Sequence, residues 1–599
     1  MLLRASTALL LCISFSLSVS SAVTKAKPSK KVTDKTNPAV KQWTKSMSLR
    51  DKVAQLIIVP IYGESANTRS AEFRKYQHLI RDLHVGGVIV TGHSLNGGIR
   101  NAEPYAMAAL LNRLQKLART PLFVAADFER GASMRVNSTT AWPYSMAFGA
   151  AQDLAGVTEE GADTARDARA MGVNWLFAPV ADVNNNPDNP IINIRSFGEN
   201  PEQVAKFVEA YINGAHSDRK NPVLVTAKHF PGHGDTTEDS HLALPRLDAD
   251  HDRIEAVELP PFRSAIAAGV DAVMTAHLNV PSLEPDNLPA TVSSKIITGV
   301  LRDELGFHGL VVTDAMEMQG LLAMFDSAEA SVRAIEAGAD VLLMPKRPEE
   351  AIRGVVAAVE KGRISRKRLD DSVNRVLAAK ARLGLRAKKL VDLEAIADVV
   401  DSPEAGERAQ EVADHAVTLV KDSKDSLPIR HSAEGVCLIA LSEGRRSQQG
   451  IRLIDEVKKR APGVTATVLD PSMSKADLDQ VSEKTSGCSE IVAAAYVTVA
   501  AYRGNVALAG GYPDFLNGLI AGKVPVMLVA LGNPYLVRSF PNVSAYLTTY
   551  SPTSTSEAAL AKALFGEIAI TGHLPVTIPN VANYGDGIQV PMATASVAP

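Results

Sequence analysis

From Lys228 to His241 the chain reads Lys-His-Phe-Pro-Gly-His-Gly-Asp-Thr-Thr-Glu-Asp-Ser-His, a segment dense in imidazoles and carboxylates. Its two glycines and proline make it a loop rather than a helix. Such side chains could gather a divalent metal, but the helical HxxxH and HExxH spacings are absent, so no metal and no cofactor is expected. Asp239 and His241 stand two apart. At that spacing a carboxylate can bond one imidazole nitrogen and leave the other free to give or take a proton, the working part of a general acid–base dyad.

The elements that must carry this loop are legible as short apolar runs. Between residues 42 and 387 there are eight: 53–60, 85–92, 121–128, 175–183, 222–230, 270–278, 309–316 and 339–345. They are nearly continuous in Val, Leu and Ile, as strands buried on both faces must be. Helix-like stretches such as 102–118 and 327–339 lie between them. Eight alternating units predict a (β/α)8 TIM-like barrel, and the alternative, a doubly wound open sheet, lacks a GxGxxG after its first strand. Barrels of this kind place their functional groups where strands end at the C-terminal face. Ionisable residues stand at those ends: Asp127 with Arg135 eight residues on, Asp182 followed by Arg195, Lys228-His229, His277 and Asp314. His233 is expected to fix the loop, His277 to line a pocket wall and Asp182 to bond the Asn184–Asn186 turn. Glu317, past the strand end, is a competing carboxylate.

Residues 346–385 read as two amphipathic helices joined at Gly362. A polar linker over 388–412 follows, broken at Ser402-Pro403. A second α/β domain is expected over 413–580, with strands at 436–442, 466–470, 490–497, 524–532 and 544–551, a closing PVTIP at 575–579, and a loose tail over 581–599.

Lys-His-Phe-Pro-Gly-His-Gly followed by Asp-Ser-His resembles glycoside hydrolase family 3, and within it the β-N-acetylglucosaminidase branch. Residues 47–56, Asp127-Phe128-Glu129-Arg130-Gly131 with Arg135, Arg195-Ser196-Phe197-Gly198 and Thr313-Asp314-Ala315-Met316 are similar to other segments of that family. Gly532-Asn533-Pro534 and 572–576 resemble its αβα sandwich, so the resemblance runs from about 45 to 580. It implies an α/β protein, a barrel followed by an αβα sandwich, that hydrolyses glycosides with retention through a covalent glycosyl-enzyme. Asp314 would be the nucleophile, His241 the general acid and then base, and Asp239 its orienting partner. Lys228, His229, Asp127, Arg135 and Arg195 would bind the sugar. An imidazole suits both proton steps, with a pKa of about 6.5, and when neutral it sets no second anion beside the nucleophile. The segment departs from the family at Arg130-Gly131, where two glycines are usual, which leaves the wall of the sugar pocket open.

The composition is ordinary for a globular protein and argues against some other classes. The 599 residues are 46% hydrophobic and 22% charged, with 63 Lys plus Arg against 66 Asp plus Glu. That balance, a net charge of -3, offers no concentrated basic excess for nucleic acid. Arg4 ahead of an apolar run from Ala8 to Val19, then Ser20-Ser21-Ala22, predicts a signal peptide over 1–22, a linker over 23–41 and a secreted or periplasmic protein without stable membrane insertion. Cys437 and Cys488 are expected to be free buried thiols, with a structural disulfide as the alternative. The expected substrate is terminal β-linked N-acetylglucosamine on peptidoglycan or chitin-type fragments. Three alternatives compete with it. One is a family 3 β-glucosidase, which would take its acid from a second-domain Glu and lack the Asp-Ser-His loop. The others are an N-acetylglucosaminide phosphorylase and a carbohydrate-binding protein with a dead site.

Overall fold

The computed structural model describes residues 37–593 apart from 65–66, 96–97, 430–434 and 445–446. The expected signal peptide and most of the linker after it lie outside the described residues.

All eight apolar runs form strands: β1 Ile57–Tyr62, β2 Gly87–Thr91, β3 Phe123–Ala126, β4 Trp175–Leu176, β5 Leu224–Phe230, β6 Ala272–Thr275, β7 Leu310–Thr313 and β8 Leu342–Leu343. They pair in parallel in the order β8-β1-β2-β3-β4-β5-β6-β7. The β7/β8 seam is bridged at Val341, whose N–H donates to Val311 O (3.0 Å) and whose carbonyl accepts from Thr313 N–H (3.1 Å). β3, β5, β6 and β7 are buried at every position, which is why their sequences are continuous rather than alternating. The intervening helices carry their own start and stop signals. Pro201–Ala215 opens with Pro at its first turn and Asn200 accepting from Gln203 N–H, and Ser327–Ala337 is capped by Asp326. Helices Pro348–Glu360 and Arg366–Arg382 are separated at Gly362, where φ is +78°.

The second sheet has six strands: β9 Thr418–Asp422, β10 Val436–Leu441, β11 Thr465–Leu469, β12 Glu490–Val497, β13 Val526–Gly532 and β14 Ala545–Thr548. Their order is β9-β14-β13-β12-β10-β11, all parallel except the β9/β14 pair. Alternate residues of β12 face two apolar layers. Ile491, Ala493 and Ala495 pack with Tyr512 and Leu516 on one side, and Val492, Ala494 and Tyr496 with Leu453 and Leu560 on the other. That is an αβα sandwich. The first layer also takes in Met146, Ala147 and Ala150, which belong to the helix Ser145–Ala151 of the preceding domain.

Four expectations need correction. Residues 575–579 form no strand, because their backbone docks on the barrel: Pro575 O accepts from Glu199 N–H (3.0 Å), and Thr577 donates its N–H to the Glu199 carboxylate (2.7 Å). The sixth strand is β9 instead. The linker at 388–412 is largely ordered, since Ser402 caps a helix, Pro403–Ala416, with Pro403 at its first position. The expected break is a helix start. The tail is not loose over its described part, because Ile588 N–H donates to Leu419 O (2.8 Å) and Ile570 bridges Val590. Cys437 and Cys488 are joined in a disulfide with Cα atoms 6.0 Å apart, since the pairing of β10 with β12 brings Cys437 beside the stretch that leads into β12. No described helix is long and apolar enough to cross a membrane.

Candidate active site

Asp314 follows directly on β7. Its N–H donates to Thr275 O (3.0 Å) of the neighbouring strand, and its Oδ1 accepts from Ala315 N–H (2.7 Å). Burial pushes its pKa up, but the imidazoles of His229, His277 and His241, with the Ala315 N–H, outweigh burial and hold it at about 2. At neutral pH it is an anion, and His241 is among the groups that stabilise it. His277, expected to line a pocket wall, is fully buried, and its Nε2 donates to Ala315 O (3.0 Å), bracing the backbone beside Asp314.

Asp239 Oδ1 accepts from His241 Nδ1 (2.8 Å) and His241 N–H (2.9 Å). A carboxylate can only accept, so Nδ1 carries the hydrogen and Nε2 is the free nitrogen. The Asp239 side chain is 0% exposed and that of His241 is 24%. Burial raises the pKa of Asp239, yet the His241 side chain and N–H lower it further than burial lifts it, so it stays ionised.

The five expected sugar-binding residues form one charged chain. Lys228 Nζ bridges Asp127 Oδ1 (2.9 Å) and Glu129 Oε1 (2.7 Å), and Arg135 Nη2 reaches Asp127 Oδ2 (3.3 Å). Arg195 grips Glu129 through Nε and Nη2, both at 2.8 Å, and its Nη2 lies 3.4 Å from His229 Nε2. Burial opposes ionisation throughout. The opposite charges win, placing Asp127 and Glu129 below the usual carboxylate range and Lys228 and Arg195 above theirs. Glu129 lay inside the quoted Asp127–Gly131 segment without a role, and it is the residue that joins Lys228 to Arg195. Replacing Lys228 with alanine leaves Asp127 and Glu129 facing each other without their shared cation. The expected loss is about 3 kcal/mol of stability, read by denaturant unfolding.

Asp182 does not bond the asparagine turn. Its Oδ2 holds His229 Nδ1 (2.7 Å) and its Oδ1 accepts from the backbone N–H of His229 (3.2 Å) and His233 (2.7 Å). It is the buried post on which the loop is hung. His233 fixes the loop as expected, with Nδ1 on Thr236 Oγ1 (2.8 Å), and burial lowers its pKa to about 4, so the ring is neutral. Glu317 is exposed, with its pKa raised chiefly by partial burial of the carboxyl, and it makes no ion pair among the described contacts. The loop imidazoles are each taken up by a different partner, not turned on one shared point. Among the described residues, close metal-type ligand atoms gather only at His251, Glu255 and Glu304, none of them a candidate. A cavity of about 760 Å³ opens between Pro187–Asn189 and sandwich residues such as Tyr535 and Arg538, but none of the candidate residues lines it.

Gly232 has φ +134°, and a Cβ there would come within 2.4 Å of Glu258 Oε2. Glu258 is buried beneath the loop and its pKa is raised to about 8, by burial first and then by Asp182 and Asp235 against the pull of Arg253. A folded pKa above the unfolded value of about 4.3 means that this carboxyl contributes its full stability below that value and loses it as pH rises through about 8. Glu258→Gln is therefore expected to gain on the wild type in melting temperature steadily between pH 5 and 8.5. Parallel curves would contradict the assignment.

Residues 48–379 match the family model described as "Glycosyl hydrolase family 3 N terminal domain", and residues 346–595 match the family's C-terminal domain model. The chain belongs to glycosyl hydrolase family 3. It is a glycoside hydrolase. A "Beta-N-acetylglucosaminidase/beta-glucosidase" of Cellulomonas fimi is 30% identical over 550 residues, covering 88% of this chain and 93% of that one. "Beta-hexosaminidase A" of Pseudoalteromonas piscicida is 30% identical over 549 residues, with coverage of 82% and 90%. Among solved structures, a glycoside hydrolase family 3 beta-N-acetylglucosaminidase from Paenibacillus sp. str. FPU-7 superposes with a TM-score of 0.80 at 34% identity, covering 89% of this chain and 99% of that one. A beta-glucoside phosphorylase superposes with a TM-score of 0.78 at 25% identity, with coverage of 90% and 95%. In this family 3 chain both ends of the expected chemistry, Asp314 and the Asp239–His241 pair, lie at the C-terminal mouth of the barrel.

Proposed function

We propose that this chain is a retaining exo-β-N-acetylglucosaminidase that removes terminal β-linked N-acetylglucosamine from peptidoglycan or chitin-type fragments. Asp314 attacks the anomeric carbon while His241 Nε2 delivers a proton to the departing oxygen. His241 then takes a proton from water, which releases the sugar from Asp314. Asp239 keeps Nδ1 protonated through both steps. Lys228, His229, Asp127, Arg135 and Arg195 hold the ring hydroxyls and the acetamido group.

One observation carries this reading: Asp314 is kept ionised among imidazoles while Asp127, Glu129, Asp182 and Asp239 are each engaged by a cation or an imidazole. Inversion would need a free carboxylate to activate water from the far side of the sugar, and Glu317, which makes no ion pair among the described contacts, stands exposed past the strand end with its pKa raised. Retention needs only the nucleophile and one group that serves as acid and then base. The names of the relatives support the acetamido sugar. The apolar N-terminus and the Cys437–Cys488 disulfide support export to an oxidising compartment.

The test is a panel of aryl β-glycosides of N-acetylglucosamine, glucose and xylose, with the first product anomer followed by proton NMR. Preference for N-acetylglucosamine and initial release of the β-anomer are expected, and initial α-anomer would overturn retention. The same panel with added phosphate tests the phosphorylase alternative. An imidazole acid leaves no second anion to repel phosphate, and a sugar phosphate product would establish that reading in place of hydrolysis.

A further inference from the structure

Among the described contacts, the sandwich domain reaches the acid–base pair through the segment that follows β12. The rings of Tyr502 and His241 meet in a T-shaped arrangement, with ring centres 5.0 Å apart and planes at 61°. Tyr502 has φ +66°, a left-handed conformation that a bulky residue adopts only when its surroundings impose it. The surroundings are visible. Glu443 accepts from Thr498 N–H (2.7 Å), Thr498 Oγ1 (2.7 Å) and Arg503 Nη1 (2.6 Å), and Arg503 Nη1 also reaches Thr498 O (3.2 Å). Both ends of the segment are thus tied to one carboxylate. Two residues on, a Cβ at Gly504 would stand 3.2 Å from Leu242 Cδ1, beside His241 in sequence. Asp239 Oδ2 is buried without a well-formed hydrogen bond, and the backbone N–H of Tyr502 faces that carboxylate and helps keep it ionised.

We propose that Tyr502 is a positioning residue: through it the sandwich domain holds the Asp239–His241 pair in the one orientation that aims His241 Nε2 at the leaving-group oxygen. This rests on the reading of His241 as the general acid. The His241 side chain is 24% exposed, and the ring of Tyr502 supplies the wall that stops the imidazole from turning. The backbone amide of the same residue steadies the carboxylate that orients it. Among the described contacts the phenol oxygen makes no hydrogen bond, so the ring rather than the hydroxyl is what matters.

The test compares Tyr502→Ala, Tyr502→Phe and Glu443→Gln in the full chain, on N-acetyl-β-glucosaminides whose leaving groups range from dinitrophenol to an alkyl alcohol. Tyr502→Ala is expected to lower kcat/KM about tenfold on the alkyl glycoside, through kcat rather than KM, and to leave kcat/KM on the dinitrophenyl one hardly changed. Tyr502→Phe restores the alkyl rate. Glu443→Gln, which leaves the ring in place but slackens its tether, gives the same pattern at smaller amplitude. An equal loss on every substrate, or a rise in KM alone, overturns the proposal in favour of a structural or sugar-contacting role. His241→Ala run alongside separates the two readings. If it shows no dependence on leaving group, the acid assignment falls and the Tyr502 proposal with it. If its dependence is strong while that of Tyr502→Ala is flat, only the latter falls.

Discussion

Asp314→Ala is expected to lower kcat on an aryl N-acetyl-β-glucosaminide by a factor on the order of 10⁴ or more, with melting temperature close to the wild type. The carboxylate sits at the strand end with one backbone hydrogen bond and three imidazoles around it, whereas Glu317, the unpaired carboxylate nearest in sequence, is exposed past the strand end. Removing it takes away the bond-forming atom rather than a supporting contact. The loss should be partly repaired by azide on a dinitrophenyl substrate, because a small anion can enter the space vacated on the α face. The α-glycosyl azide is the expected product. A variant with more than one-tenth of wild-type activity, without azide, would remove Asp314 from the reaction.

His241→Ala is expected to divide substrates by their leaving groups. An alkyl or sugar leaving group departs only if protonated, and its rate should fall by about 10²–10⁴-fold. A dinitrophenolate leaves unaided, so formation of the glycosyl-enzyme should be almost unaffected. Release of the sugar then becomes slow, because His241 also activates the water, and an initial burst of dinitrophenol should appear. A uniform loss of kcat/KM across the series would contradict the role of His241 as acid.

Much of this architecture could be read before any coordinates. The eight barrel strands are buried on both faces, so each leaves an uninterrupted apolar run, and the polar residue that ends the run marks the active mouth. The Asp239–His241 dyad was legible because its two members are neighbours in sequence and the hydrogen bond is local. What escaped depends on distant pairing. Glu129 earns its place only when Lys228 and Arg195 arrive on either side of it, and Asp182 only when the loop after β5 folds back over it. Cys437 and Cys488 are 51 residues apart, and nothing between them announces that β10 and β12 are adjacent. Thr418–Asp422 follows a helix almost without a break, and only its antiparallel partner, β14, makes it a strand. Tyr502 stands in Ala-Ala-Tyr-Arg-Gly, with no sequence signal to set it beside a histidine more than two hundred positions earlier.

The helix Ser145–Ala151 is grown by the barrel, yet Met146, Ala147 and Ala150 are packed in the layer that also holds Tyr550, Leu574 and Val576. Its Gly149 lies so near Phe197 O that a methyl group there would sit at 2.0 Å. Severing the chain between the two halves would therefore strip an oily strip bare on each, and neither piece could hide it alone. The catalytic half is in this sense a borrower: part of its own outer wall is insulated from water only by its neighbour, so the two are built to survive, and to melt, together.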